Sequence, residues 1–194
     1  MMTRMIQPFR SFIGVLAALS VLMLGACASA VDDLAVPIAP SVSGIQLTET
    51  GIGLVDQSTR YNSREITAAL DGARVETVQA TSNGRITSLL AAFAPSGLQM
   101  LRFENSGGRV GAIHVVSEDV PGPRGERIGQ TYAQAGGSGM RCQPGTDTWV
   151  GMAVCRRDGS AITYVFAVPL RSSIAPLRGS ELRQSNLTRM VWRP

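Results

Sequence analysis

Apolar and polar positions along this chain fall into distinct regimes, and each regime predicts a different kind of structure. Arg4 and Arg10 precede an apolar run from Phe12 to Leu24 that only Gly14 and Ser20 interrupt. That run is shorter than the roughly 20 apolar residues that span a bilayer. Positively charged start, short apolar core and small residues follow the order of a secretory signal. Residues 28–43 hold Pro37, Pro40 and many small side chains without helical or strand period, which predicts a flexible tether. The folded part is expected from about Gly44 onward.

Within it, residues 48–56 contain Gly51-Ile52-Gly53-Leu54-Val55, a short strand entered through glycine. Asn62 with Glu65 has the form of a helix N-terminal capping box, and Ile66, Ala69 and Leu70 then share one helical stripe. Gly72 stands where a left-handed residue ends such a helix. From Arg74 the spacing becomes that of strands, expected over 75–81, 85–93, 98–104 and 110–117. Ser82-Asn83-Gly84, Pro95-Ser96-Gly97 and Asn105-Ser106-Gly107-Gly108 separate them, so the pattern is an antiparallel meander. Val120-Pro121-Gly122-Pro123 breaks it. A helical turn is expected at 131–135, then strands at 148–156, 161–168 and 187–192. Asp158-Gly159 is the strongest hairpin signal in the chain, because its residues suit positive φ.

A weak internal repeat relates about 48–119 to 126–194. Gly51-Ile52-Gly53 corresponds to Arg127-Ile128-Gly129, 98–103 to 161–166, and 112–116 to 188–192, with 169–185 as an insertion. The expected fold is therefore mainly antiparallel β (α+β with one clear short helix). It is built as two related helix-plus-β-meander halves packed around a common core. A doubly wound parallel sheet is disfavoured, since these turns are too short for crossover helices.

Leu24-Gly25-Ala26-Cys27 resembles the bacterial lipobox, in which the cysteine is lipidated and becomes the first residue. The organisation expected is a lipoprotein signal peptide over 1–26, a lipidated Cys27 with its tether over 27–43, and one β-rich domain over 44–194. Ala28 after the cysteine, rather than aspartate, favours the outer membrane by resemblance to the enteric sorting rule. The protein would then be lipid-anchored in the cell envelope and face the periplasm.

Charge changes this picture little. Removing the signal leaves 16 arginines against 14 acids, too small an excess and too dispersed to argue for nucleic acid. The chain has no lysine, which excludes a phosphate-binding GxxxxGK[ST] loop, a Schiff-base lysine and a Ser–Lys dyad. With Cys27 lipidated, Cys142 and Cys155 remain as an even pair around the turn-rich Pro144-Gly145-Thr146-Asp147. A structural disulfide suits an oxidising compartment and a loop of this size, at roughly 3 kcal/mol. A redox or metal pair would want CxxC spacing or neighbouring ligands, which the sequence lacks.

No catalytic set assembles from the sequence, and no cofactor or metal site is expected. His114, the single histidine, shares a strand face with Val110, Ala112 and Val116 and reads as a core or edge residue. Gly136-Gly137-Ser138-Gly139-Met140 fails the GxSxG nucleophile elbow at Met140 and reads as a hinge. Glu104, Glu118, Asp119 and Glu126 are the carboxylates that could pair as acid and base across a cleft. Trp149, Tyr164, Phe166 and Trp192 form an aromatic set expected mainly in the core, any exposed member being a candidate binding hot spot.

These features in order resemble the small bacterial lipoproteins of the YfeY type, a family of unknown function controlled by the envelope-stress sigma factor RpoE. The likeness rests on Gly51-Ile52-Gly53, Ile66 with Ala69-Leu70-Asp71-Gly72, Ile113, Gly125 with Ile128-Gly129, Cys142 with Cys155, Tyr164 with Phe166, and Val191-Trp192-Arg193. It implies an envelope lipoprotein with no catalytic residues to carry over. The expected function is that of a non-enzymatic binding or envelope-stress module that engages an envelope protein or polymer. The alternative is a hydrolase acting on peptidoglycan or lipid through paired carboxylates.

Overall fold

The computed structural model describes residues 44–82 and 85–194. The expected signal over 1–26, Cys27 and the expected tether lie outside the described residues, as do Asn83 and Gly84 of the first predicted turn. The chain begins with a small hairpin, β1 (Leu47–Thr48) and β2 (Gly51–Ile52), followed by α1 (Ser63–Ala69). Asn62 caps that helix as expected, its Oδ1 accepting from the Glu65 N–H at 2.9 Å. The helix buries Ile66, and Leu70 at its end is buried beside it. Asp71 and Gly72 both take positive φ and turn the chain into the first meander.

That meander is β3 (Arg74–Ser82), β4 (Arg85–Phe93), β5 (Gln99–Ser106) and β6 (Arg109–Val115). The second is β7 (Arg141–Pro144), β8 (Met152–Arg156), β9 (Ile162–Ala167) and β10 (Asn186–Trp192). All eight strands join in one antiparallel sheet, ordered β3-β4-β5-β6-β10-β9-β8-β7. The order is palindromic because the last strand of one meander pairs with the last strand of the other. Residues compared across the repeat fall on β5 and β9 and on β6 and β10. Just before the turns that follow, Arg60 bridges to Arg109 at the start of β6, and Thr131 bridges to Asn186 at the start of β10.

Period-two alternation gives the sheet two unlike faces. On one, Val75, Ala92, Leu101, Val115, Met190, Tyr164, Cys155 and Cys142 stand side by side from edge to edge. Beside that row run Leu90, Phe103, Ile113, Trp192 and Ile162. Leu47, Ile52, Val55, Ile66 and Leu70 close over this face and complete the main core. Cys142 and Cys155 are disulfide-bonded directly across β7 and β8, with Cα atoms 4.0 Å apart. Tyr164, Phe166 and Trp192 are buried here, and Trp192 donates from Nε1 to the Glu49 carbonyl at 2.9 Å.

The structure adds detail to the sequence reading and departs from it in places, β7 among them. The described residues hold two helices, since α2 (Gly179–Arg183) forms within the 169–185 insertion, where Arg171 pairs with Glu181 at 2.8 Å. The helical turn expected at 131–135 forms, the Ala135 N–H bonding back to the Thr131 carbonyl at 3.0 Å, before the glycines beyond it divert the chain into a 3₁₀ turn at Gly137–Gly139. The strand expected over 148–156 starts only at Met152, because Asp147–Trp149 is a 3₁₀ turn.

Candidate functional site

The opposite face of the sheet is where the chain has chemistry to offer. Across it, Glu76, Ala91, Arg102, His114, Val191, Thr163, Arg156 and Arg141 form one row. A small apolar patch of Ala112, Val165 and Val191 sits at its centre, with Trp149 and Met152 packed against it. Trp149 reaches this position because the 3₁₀ turn folds the β7–β8 connection over the sheet. Gly145 permits that fold: a Cβ there would stand 2.1 Å from the Trp149 carbonyl oxygen.

A second irregularity opens the other flank. Leu90 pairs with Phe103, but the pairing of β4 with β5 ends there. The Tyr61 hydroxyl is inserted into the ladder at this point, accepting from the Leu90 N–H at 2.8 Å and donating to the Phe103 carbonyl at 3.0 Å. Beyond it β4 pairs with β3 and β5 with β6, so the distal part of the β3–β4 hairpin leaves the plane of the sheet. Between hairpin and Trp149 lies a groove of about 520 Å³ whose walls include Tyr61, Leu89, Thr148, Trp149 and Met152. Its polar wall is Arg102, Glu104, His114 and Arg189.

These polar groups form one network. His114 is only 4% exposed, and its Nε2 lies 2.6 Å from Glu104 Oε1. Its Nδ1 is 3.4 Å from an Arg189 guanidinium nitrogen. Arginine can only donate, so Nδ1 accepts and Nε2 carries the proton given to Glu104: the imidazole is neutral. Burial, the largest influence on it, also keeps the His114 pKa below 6.5. The hydrogen bond from His114, with help from Arg193 at 3.0 Å, pulls Glu104 from 4.5 down to about 2. Burial and the neighbouring Arg102 guanidinium lower Arg189, which also lies over the Trp149 ring at 5.4 Å.

The residues singled out from sequence are distributed unevenly over this geometry. His114 shares a face with Ala112 as expected, but that face is the groove and the main core lies on the other, with Ile113 and Val115. Of the four aromatics, Trp149 alone stands on the groove side. Glu104 belongs to the groove, whereas Glu126 is buried on the core side, where it accepts from the Tyr164 hydroxyl at 3.0 Å and lies 3.6 Å from Arg157. Glu118 and Asp119 are exposed in the connection after β6. The structure therefore brings Glu104 and Glu126 to opposite faces and does not join them as an acid–base pair. Among the described residues, no three His, Cys, Asp or Glu side chains converge on a metal site. No helix among them is long and apolar enough to cross a membrane. Arg102 and Arg189 were not singled out from sequence. For Arg102 the signal is an arginine between large apolar neighbours inside a strand, Leu101-Arg102-Phe103; Arg189, between Thr188 and Met190, carries no such mark.

Comparison with known proteins places this architecture. Residues 33–194 match a family described as "Protein of unknown function (DUF1131)". The chain belongs to that family. A crystal structure of the uncharacterized protein yfeY from Escherichia coli has the same fold, with a TM-score of 0.60 at 22% identity. The alignment covers 77% of this chain and 99% of that one. Both findings agree with the YfeY-type resemblance and with a mainly antiparallel β architecture. No curated protein matches the chain.

Proposed function

We propose that this family member is a lipid-anchored envelope module that acts by binding and not by catalysis. The anchor is Cys27, the reach is the 27–43 tether, and the working surface is the groove beside Trp149. Ala28 favours the outer membrane with the domain facing the periplasm, and the YfeY-type resemblance adds a place in the envelope-stress response. The observation that carries the reading is the open second face, a concave surface of about 520 Å³ lined by a half-buried tryptophan and arginines. Its size suits recognition of a small group or a segment of polymer. A hydrolase through paired carboxylates gains nothing from the geometry, because Glu104 is held ionised by His114 and Arg193 and no second carboxylate among the described residues lines the groove. The partner is an envelope protein or polymer.

Two measurements test this. Cys27→Ser should leave the protein unlipidated and remove it from the membrane fraction, since each acyl chain contributes about 0.8 kcal/mol per buried CH₂. Unchanged fractionation and mass would refute the anchor. A photo-crosslinker at Met152 should capture a specific envelope component in intact cells, and one at exposed Leu98 should not. Identical capture at both positions, or hydrolysis of an envelope substrate by the purified protein, would overturn the binding reading.

A further inference from the structure

The charges lining the groove do not balance. Glu104 is engaged by His114 and Arg193. Arg102, across the ladder from His114, makes no ion pair or side-chain hydrogen bond with the described residues. Arg189 meets the His114 imidazole and the Trp149 ring, and no carboxylate. Arg102 and Arg189 thus line one groove with Glu104 as the single acid among its lining residues, and that acid is already bonded to His114 and Arg193. Guanidinium groups are planar forks suited to two oxygens of a carboxylate or phosphate. His114 accepts from Arg189 through Nδ1 and so orients that fork before any ligand arrives. Beside the arginines the wall turns apolar, with Leu89, Trp149 and Met152.

We propose that the groove is an oxyanion site in which Arg102 and Arg189 hold a carboxylate or phosphate while Trp149 carries the ring or apolar body of the same ligand. This rests on the binding reading above and names its chemistry. A cationic ligand would add to the repulsion already present. The anion is either a small free molecule or a group borne on an envelope polymer; the recognition is the same for both.

The test uses the full chain purified in non-ionic detergent, titrated with phenyl phosphate, inorganic phosphate and phenol by calorimetry. Phenyl phosphate should bind saturably, inorganic phosphate more weakly, and phenol not at all. Arg102→Gln should weaken phenyl phosphate at least tenfold without moving the thermal midpoint, and Trp149→Leu should remove its advantage over inorganic phosphate. Arg189→Gln should weaken binding similarly; because it also strips a partner from buried His114, Arg102→Gln is the decisive variant. Equal affinity for phenol, undiminished binding by Arg102→Gln, or no saturable binding of phenyl phosphate would each overturn the proposal. Co-sedimentation with purified cell-wall sacculi, released by phenyl phosphate, identifies a polymer-borne anion; saturable phenyl phosphate binding without co-sedimentation identifies a free one. If phenyl phosphate fails while Met152 still crosslinks, this proposal falls and the binding module stands. If phenyl phosphate binds while crosslinking fails, the oxyanion site stands without the macromolecular partner.

Discussion

At the scale of single residues, the groove is governed by one buried imidazole. A neutral, buried His114 has a lower proton affinity in the folded chain than in the unfolded one, so the unfolded state takes up the proton first. Stability should therefore decline as pH falls through 6.5, the ordinary histidine value. Glu104 acts lower down: its folded pKa is depressed, so its contribution is complete above 4.5 and is lost between 4.5 and about 2. Urea unfolding midpoints across this range should fall in two stages, and Glu104→Gln should flatten the acidic one. Stability that rises from pH 7 to 5.5 would contradict a neutral His114. The sequence pattern could not reveal this role, because Ala112, Ile113, His114 and Val115 are all buried and alternation does not say which face is the core. Where the Trp149 turn covers the second face, the central strands lose the polar half of their period.

At the scale of elements, what was legible was what local chemistry dictates. Asn62 and Glu65 mark the start of α1, Asp158-Gly159 marks the β8–β9 hairpin, and β4 occupies the predicted 85–93. β7 was missed because Arg141–Pro144 is four residues long, has no apolar alternation and ends in proline. Its place at the edge follows from the disulfide and from pairing with β8, both distant in sequence from any local signal. The turn carrying Trp149 was hidden for a similar reason: it depends on a backbone approach at Gly145. Gly145→Ala should force that turn away, shift the fluorescence of Trp149 toward that of an exposed indole, and cost about 1–3 kcal/mol by overpacking. An unchanged emission spectrum with unchanged stability would show that the turn can relax without moving the tryptophan.

At the scale of the whole molecule, the two meanders are joined through a single strand pair, and the largest core side chain sits on it. Trp192 lies between Ile113 and Ile162, and its indole reaches across to the Glu49 carbonyl. Trp192→Ala should cost about 3–5 kcal/mol. Far-ultraviolet circular dichroism and the fluorescence of Trp149 should lose signal together, at one denaturant concentration. Separate transitions for the two probes would show that each meander is stable alone.

The position of β10 also couples the two halves of the sheet. It is the last of the described elements in chain order, yet it fills the centre of the sheet between β6 and β9. Until it arrives, β6 and β9 each present an open backbone edge, and Leu101, Phe103, Ile113 and Tyr164 have no continuous layer to join. Without β10 the hairpins on either side can form, but the core they share cannot close. Docking of this one strand therefore closes both meanders together, and its loss would open both.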